Sequence, residues 1–521
     1  MLRSSLVLSA LVQGGACFAA TCADPGDTLF DNGFETSPGV SRYVSPNGAD
    51  THDGSWQAPW RTVQHAADSV AAGDTVCVRG GTYNEIVTIS HGGSVAAGDI
   101  AFQAWPGESV RIDGSGLAVP NGQWGLVTLQ DVGHVTVRGF DIANFSTAST
   151  AAVPIGIYVT GAGTGIHILD NHIHDIRTSA SGCAANAFGL KVDGTNASAS
   201  IDQLTIAGNE VDHLVLGCSE SLSLDGNVEH WSISGNSVHD TDNIAIGAIG
   251  FEGVAPDPAV DQARDGVISG NTVYNISSFG NPAYGNQYAA DGIYVDGGTR
   301  ITIERNLVHH VDLGIEAASE HSGRTSSYVI VRDNLVHSGN SAGISIGGYA
   351  ANRGGSDHVT IVNNTLFHND GAATGSGEFQ IQYHADANLF ENNIVAAGAQ
   401  GLLVNAYTGD TPAPATLDHN LYFADGGGAT WNWRSIDYAS FDAWQAGSGQ
   451  DAQALFGDPL FANPAIPDLR VGAQSPAVDA GADLGPSVVG TLDYAGQPRV
   501  QGAAIDIGAY ERWPGSHVSS R

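Results

Sequence analysis

Short segments with apolar residues two positions apart recur along the chain: FGLKVDG (188–194), ESLSLDG (220–226), DGIYVDGG (291–298), LGIEAAS (313–319), AGISIGG (342–348), GEFQIQY (377–383) and QGLLVNA (400–406). Period-two alternation predicts strands with one buried face. Between them lies a second pattern, apolar-x-x-Asn-x-apolar, as in ILDNHI, ISGNTV, VRDNLV and IVNNTL. Its Asn residues are Asn171, Asn209, Asn236, Asn271, Asn306, Asn334, Asn364, Asn393 and Asn420, in steps of 27 to 38 residues with no helical period between them. A unit of this kind cannot bury its apolar face alone and must stack on its neighbours. The expected fold is all-β, a right-handed parallel β-helix. Asn is expected at the bends in left-handed geometry, its amide bonded to the same amide one coil away.

The ends of such a stack must be closed, because open strands pair with other chains. RTVQHAADSV (61–70) has helix-period apolar positions and predicts a short N-terminal capping helix. The Asn repeat stops after Asn420, so the β-helix is assigned to 42–425 and a closing segment to 426–521. Arg3, the apolar run Leu6–Val12 and small residues at Ala16, Ala19 and Ala20 read as a secretory signal over 1–20, followed by a linker over 21–41. The protein is therefore expected to be secreted, extracellular or periplasmic, and monomeric. No later stretch reaches the ~20 apolar residues of a membrane helix. In an oxidising compartment cysteines pair, and Cys183 and Cys218, which precede neighbouring coils, are the expected disulfide.

Composition then narrows the function. Asp and Glu number 54 against 19 Lys and Arg, a net charge of −35, which excludes a basic nucleic-acid surface. Hydrophobic residues make up 42% and are spread throughout, which excludes a disordered chain.

Function must come from outward positions of one sheet. Aligning the alternating strands gives one outward column of Tyr158, Lys191, Ser223, Ala245, Tyr294, Glu316, Ser345 and Gln380. The neighbouring column holds Asp193, Asp225, Gly247, Asp296, Ala318, Gly347 and Gln382. Coils are ~4.8 Å apart, so the stacked carboxylates repel unless a cation intervenes. The expectation is that Asp225, Asp296 and Glu316 converge on one exposed groove. Insertions at 251–267 and 277–292 would wall it, the second with Phe279, Tyr284 and Tyr288 suited to stacking on sugar rings; Tyr294 in the outward column would also meet substrate, and Glu320, His321, Arg324 and Arg353 would line further subsites. The histidines His174, His239, His309 and His337 share one offset after their ladder Asn residues and are expected to form a solvated stack with no fixed carboxylate partner.

The segment YVSPNGADTHDGSWQAPWRTVQHAADSVAAGDTVCVRGGTYNE (43–85) resembles the start of secreted β-helix proteins related to family 9 polysaccharide lyases, the pectate-lyase type, and the Asn-ladder coils extend the resemblance to about residue 425. The resemblance implies β-elimination on an extracellular polysaccharide, with Ca²⁺ as the cofactor, calcium-binding Asp residues for which Asp225, Asp291 and Asp296 are the candidates here, and a catalytic Lys in a Gly-apolar-Lys-apolar strand. Lys191, the single lysine of the chain, stands in such a strand, F-G-L-K-V. The order departs from the family's, because the acidic candidates follow Lys191 instead of preceding it. Two other readings stand beside elimination. Asp296 and Glu316, on adjacent coils and one column apart, have backbones roughly 8 Å apart, which suits an inverting glycoside hydrolase. A non-catalytic glycan-binding or surface β-helix protein is the third.

Overall fold

The computed structural model describes Cys22, residues 40–426 and residues 428–512. The secretory signal and most of the linker lie outside the described residues. From Ser41 onward the chain winds as a right-handed parallel β-helix whose coils build three long parallel sheets. Inside, like stacks on like: Ile157, Leu190, Leu222, Ile246, Ile293, Ile315 and Ile344 stand in register on successive coils, all buried. Each such side chain contributes roughly 1.5–3 kcal/mol. The stack supplies what one coil alone lacks.

The Asn ladder forms from Asn171 to Asn420. Each Nδ2 donates to the Oδ1 of the next Asn, for example Asn171 to Asn209 at 3.0 Å and Asn306 to Asn334 at 3.0 Å, and also to a backbone carbonyl. The ladder ends on Asp451, whose Oδ1 accepts from Asn420 Nδ2 at 3.0 Å while Oδ2 accepts from Tyr422 Oη and Trp444 Nε1. In one respect the expectation fails. Left-handed backbone belongs to the residue before each ladder Asn, such as Asp170 (φ 54°), Arg305 (φ 55°) and Asn363 (φ 55°), and the ladder Asn itself is not in that region. The turn and the amide ladder are divided between two residues, so the ladder position is chosen for hydrogen bonding alone.

The helix Val63–Ser69 covers the first coils with Val63, Ala66 and Ala67. Thr62 Oγ1 accepts from the His65 amide and the Glu85 carboxylate accepts from the amides of Val63 and Gln64, so its N-terminus is satisfied. At the other end parallel pairing runs past 425, to Thr430–Trp433 and Leu455–Phe456. The helix Phe441–Ser448 closes this end by inserting Trp444 beside Trp431. The described residues that follow lie beside the stack instead of across its end. They fold back along the outside of the third sheet, where Leu469, Val471, Ile507 and Ala509 bury Leu335, Phe367, Ile394 and Leu421. Disulfides join Cys183 to Cys218, with Cα atoms 5.0 Å apart, and Cys22 to Cys77.

The histidine column also departs from expectation. His174, His239, His309 and His337 do lie on the third sheet, with Tyr274 completing the stack from His239 to His309. The first two have carboxylates beside them. His174 meets Asp141 at 3.0 Å and Asp175 at 2.7 Å, and His239 meets Glu210 at 3.3 Å and Asp240 at 2.7 Å. Neighbouring coils supply Asp141 and Glu210, and counting along one strand does not reveal them.

Candidate active site

The second sheet carries the candidate chemistry. Its outward column reads Tyr158, Lys191, Ser223, Gly247, Tyr294, Glu316, Ser345 and Gln380 by strand register. Gly247 stands where Ala245 was expected, and Ile249, not Gly247, stands level with Asp296. The slip is two residues, so it changes neighbours without changing faces. Ser223 and Gly247 leave a shallow floor between Lys191 and Tyr294. Four register steps separate Lys191 from Glu316, roughly 19 Å, so the two cannot serve one glycosidic bond.

Two clusters result. Around Lys191, Nζ lies 2.9 Å from Asp193 Oδ1 and 4.9 Å from the centre of the Phe188 ring, and Tyr158 Oη donates to Asp193 Oδ2 at 2.8 Å. Asp225, in register with Asp193, is pushed up to about 7, chiefly by burial, and its Oδ1 has no hydrogen-bond partner. Burial likewise pushes Glu220 up to about 8.

The second cluster is built on Asp296 and Glu316. Asp296 Oδ1 accepts from the Glu320 amide at 2.8 Å, and Oδ2 lies 4.0 Å from His321 Nε2. Gln382 Nε2 donates to Glu316 Oε1 at 2.6 Å and to Ser345 Oγ at 2.6 Å. Burial, with Glu320 adding repulsion, raises Glu316 to about 7. Asp296 is also raised by burial, against the pull of the Glu320 amide. Asp291 is raised first by burial and then by the charge of Glu316.

The alternation that faces these carboxylates away from the aliphatic core is present, with Leu224, Val295 and Ala317 inside. An exposed floor is not: Asp225, Asp296 and Glu316 are 5%, 3% and 9% exposed. Insertions and turns roof them over. Phe251, Glu320, His321, Arg324 and Arg353 line a pocket of about 560 Å³ beside Asp296. Arg324 lies over the Phe251 ring at 4.6 Å and Arg353 over Tyr349 at 4.9 Å, and Arg353 Nε is buried without a partner. In the 277–292 insertion Phe279 stacks on Tyr288 at 4.9 Å, while Asn243 Nδ2 donates to Tyr284 Oη at 3.4 Å. A larger cleft, about 730 Å³, lies between the third sheet and the C-terminal segment, away from both clusters.

The expected metal set is not brought together. Among the described residues the potential ligand atoms in this groove that lie within 4.8 Å of one another belong to Glu252, Asp296 and His321. Asp225 is separated from Asp296 by the coil of Ile249, and Asp291 opens the strand that Asp296 closes. Glu252 escapes sequence reasoning because it sits in an insertion, and Glu220 because alternation in ESLSLDG gives it the parity of the core residues Leu222 and Leu224, whereas the strand starts only at Leu222.

These protonation shifts have a consequence for stability. Glu316, Asp225, Asp333 and Glu378 are raised to about 7, 7, 8 and 8, each first by burial. Unfolded carboxyls titrate near 4, so between about pH 4 and 8 the folded state binds more protons, and stability falls as pH rises through that window. Thermal unfolding is expected to be higher at about pH 5 than at about pH 8.5. An equal or higher midpoint at the alkaline pH would contradict the burial of these groups.

Comparison with known proteins places this geometry in a class. Residues 42–205 match the Pel9A-like right-handed β-helix region. The chain belongs to the family of the uncharacterized protein YwoF of Bacillus subtilis, to which it is 39% identical over 446 residues, 85% of this chain and 93% of that one. Pectate lyase PEL9 of Emericella nidulans is 31% identical over 147 residues, 26% of this chain and 32% of that one. The solved complex of XylC with xylose shares the fold, with a TM-score of 0.54 at 14% identity, covering 91% of this chain and 99% of that chain. The fold is one that carbohydrate-active enzymes use. The two disulfides fit an oxidising compartment, and among the described residues no helix is long and apolar enough to cross a membrane.

Proposed function

We propose that the protein hydrolyses a glycosidic bond in an extracellular polysaccharide, with Asp296 and Glu316 as the two carboxyl groups. The observation that carries this is the pair itself. Two carboxyls on adjacent coils face the same roofed groove, and one, at about 7, holds and releases a proton near neutrality. Glu316, aimed by Gln382, protonates the leaving oxygen. Asp296, on the preceding coil and fixed by the Glu320 amide, takes the proton of the water that attacks the anomeric carbon as the bond to the leaving oxygen breaks, and the burial that raises its carboxyl makes its ionised form the stronger base. Phe279 and Tyr288 offer a stacking wall, and Arg324 and Arg353 offer donors to substrate oxygens.

Elimination at Lys191 is the second reading, favoured by one observation: the partnerless Oδ1 of buried Asp225, one coil from Asp193, suits a divalent cation. Asp193 and Asp225 would hold Ca²⁺, which would acidify the C5 proton of a uronate, and Lys191 would remove that proton. Against it, Lys191 Nζ is already engaged by the Asp193 carboxylate at 2.9 Å and lies against the Phe188 ring. A panel of neutral and uronic-acid glycans separates the two. Hydrolysis predicts new reducing ends without unsaturated-uronate absorbance and no loss on adding chelator. Absorbance that chelator removes would assign elimination instead.

A further inference from the structure

The outer face of the third sheet, remote from the groove, joins histidines and carboxylates from three consecutive coils. His172 and His174 sit two apart on the strand His172–His174, so both project to the same side, with ring centroids 4.3 Å apart. The coil before places Asp141 level with His172, and the coil after places Glu210 and Asp212 level with His172 and His174. His174 Nε2 lies 3.0 Å from Asp141 Oδ1, and His172 Nε2 lies 3.1 Å from Asp212 Oδ2. One ligand atom each from Asp141, His172 and His174 falls within 4.8 Å of the other two.

We propose that Asp141, His172 and His174 bind one divalent transition-metal ion of the zinc class. Two imidazole nitrogens and a carboxylate oxygen are the donor set such ions select, whereas Ca²⁺ and Mg²⁺ take oxygen alone. The two imidazoles are stacked at 27°, with His172 Nε2 turned to Asp212, so binding requires the half-exposed His172 ring to rotate towards His174 and Asp141. Tetrahedral ligands at ~2.0–2.1 Å stand roughly 3.4 Å apart, so the present 3.0 Å contact between His174 and Asp141 opens by a few tenths of an ångström. The ion replaces the proton shared in that contact. His172 keeps 40% of its side chain exposed, which leaves an entry path and a fourth position for water. Asp175, Glu210, Asp212 and Asp240 add negative charge around the histidines, against Arg111 and Arg177. Arg111, 2.7 Å from Asp141 Oδ2, is the direct competitor of the ion.

The test uses the full chain, stripped with chelator and titrated with Co²⁺ by visible absorbance and calorimetry. One equivalent is expected, with the absorption of a tetrahedral ion and displacement by Zn²⁺. His172→Ala and His174→Ala should each weaken binding by more than the ~100-fold seen when an outer-shell partner is lost. Arg111→Ala, which frees Asp141, should tighten it. The proposal is overturned if the unaltered protein binds no Co²⁺, or if affinity is unchanged in the His172→Ala/His174→Ala double variant. Should the histidine variants not fold, unchanged or weaker affinity in Arg111→Ala overturns it equally.

Discussion

Asp296→Asn and Glu316→Gln are each expected to lower kcat by about 10²–10⁴-fold on any glycan the protein hydrolyses, with little change in thermal stability. Both substitutions keep shape and remove a titrating group from a site that disfavours charge, so the fold loses nothing it depends on. The pH profile carries the sharper information. A general acid must be protonated, and Glu316 loses its proton at about 7, so kcat/KM should fall as pH rises above that value. Glu316→Gln should abolish that limb along with most of the rate. Lys191→Ala serves as the counterpart: under hydrolysis it leaves kcat within a few-fold, because Lys191 lies roughly 19 Å along the sheet from Glu316. If Lys191→Ala abolishes activity while Glu316→Gln spares it, the chemistry belongs to the other cluster.

How much of this was legible in the sequence follows from which physical rule each residue obeys. Alternation fixed the faces of Lys191, Asp225, Tyr294, Asp296 and Glu316, because in a strand a neighbouring position means the opposite side. It failed at Ala245 and Gly247 for a plain reason: Ile244, Ala245, Ile246, Ala248 and Ile249 are apolar at both parities, so two alignments fit equally well. Exposure was not legible at all. Whether an outward carboxylate meets water depends on how the 251–267 and 277–292 insertions fold over the sheet, and those segments have no period. The same holds for the histidine column, whose carboxylates come from adjacent coils, and for the C-terminal segment, whose packing against the third sheet rests on contacts more than a hundred residues away in sequence, such as Asn363 with Asp506.

Arg499→Met is expected to cost about 3–5 kcal/mol locally, the usual penalty for stranding one member of a buried ion pair. Arg499 and Asp333 are each 1% exposed, and the guanidinium lies 3.1 Å from Asp333 Oδ1 while donating to the carbonyls of Asp506, Gly508 and Ala509. It thus holds the last part of the chain against a turn of the β-helix. Methionine fills the volume but leaves the Gly508 carbonyl and the Asp333 carboxylate without a donor, while the carbonyls of Asp506 and Ala509 keep Asn363 Nδ2 and the Tyr494 amide. Burial already raises Asp333 to about 8 despite Arg499, and removing the cation raises it further. A raised carboxyl gives stability that is complete at low pH and lost as pH rises through the folded pKa, so the defect should be small near pH 5 and grow towards pH 9. Asp333→Asn is the milder change, since Asn keeps an acceptor for Arg499, carries no charge and tolerates the left-handed backbone found there (φ 55°). The expected readout is release of the segment after residue 457 to protease at alkaline pH in Arg499→Met, with the Asn-laddered coils still folded. Protection equal to that of the unaltered protein at about pH 9 would mean that the apolar contacts of Leu469, Val471 and Ile507 hold the segment without the ion pair.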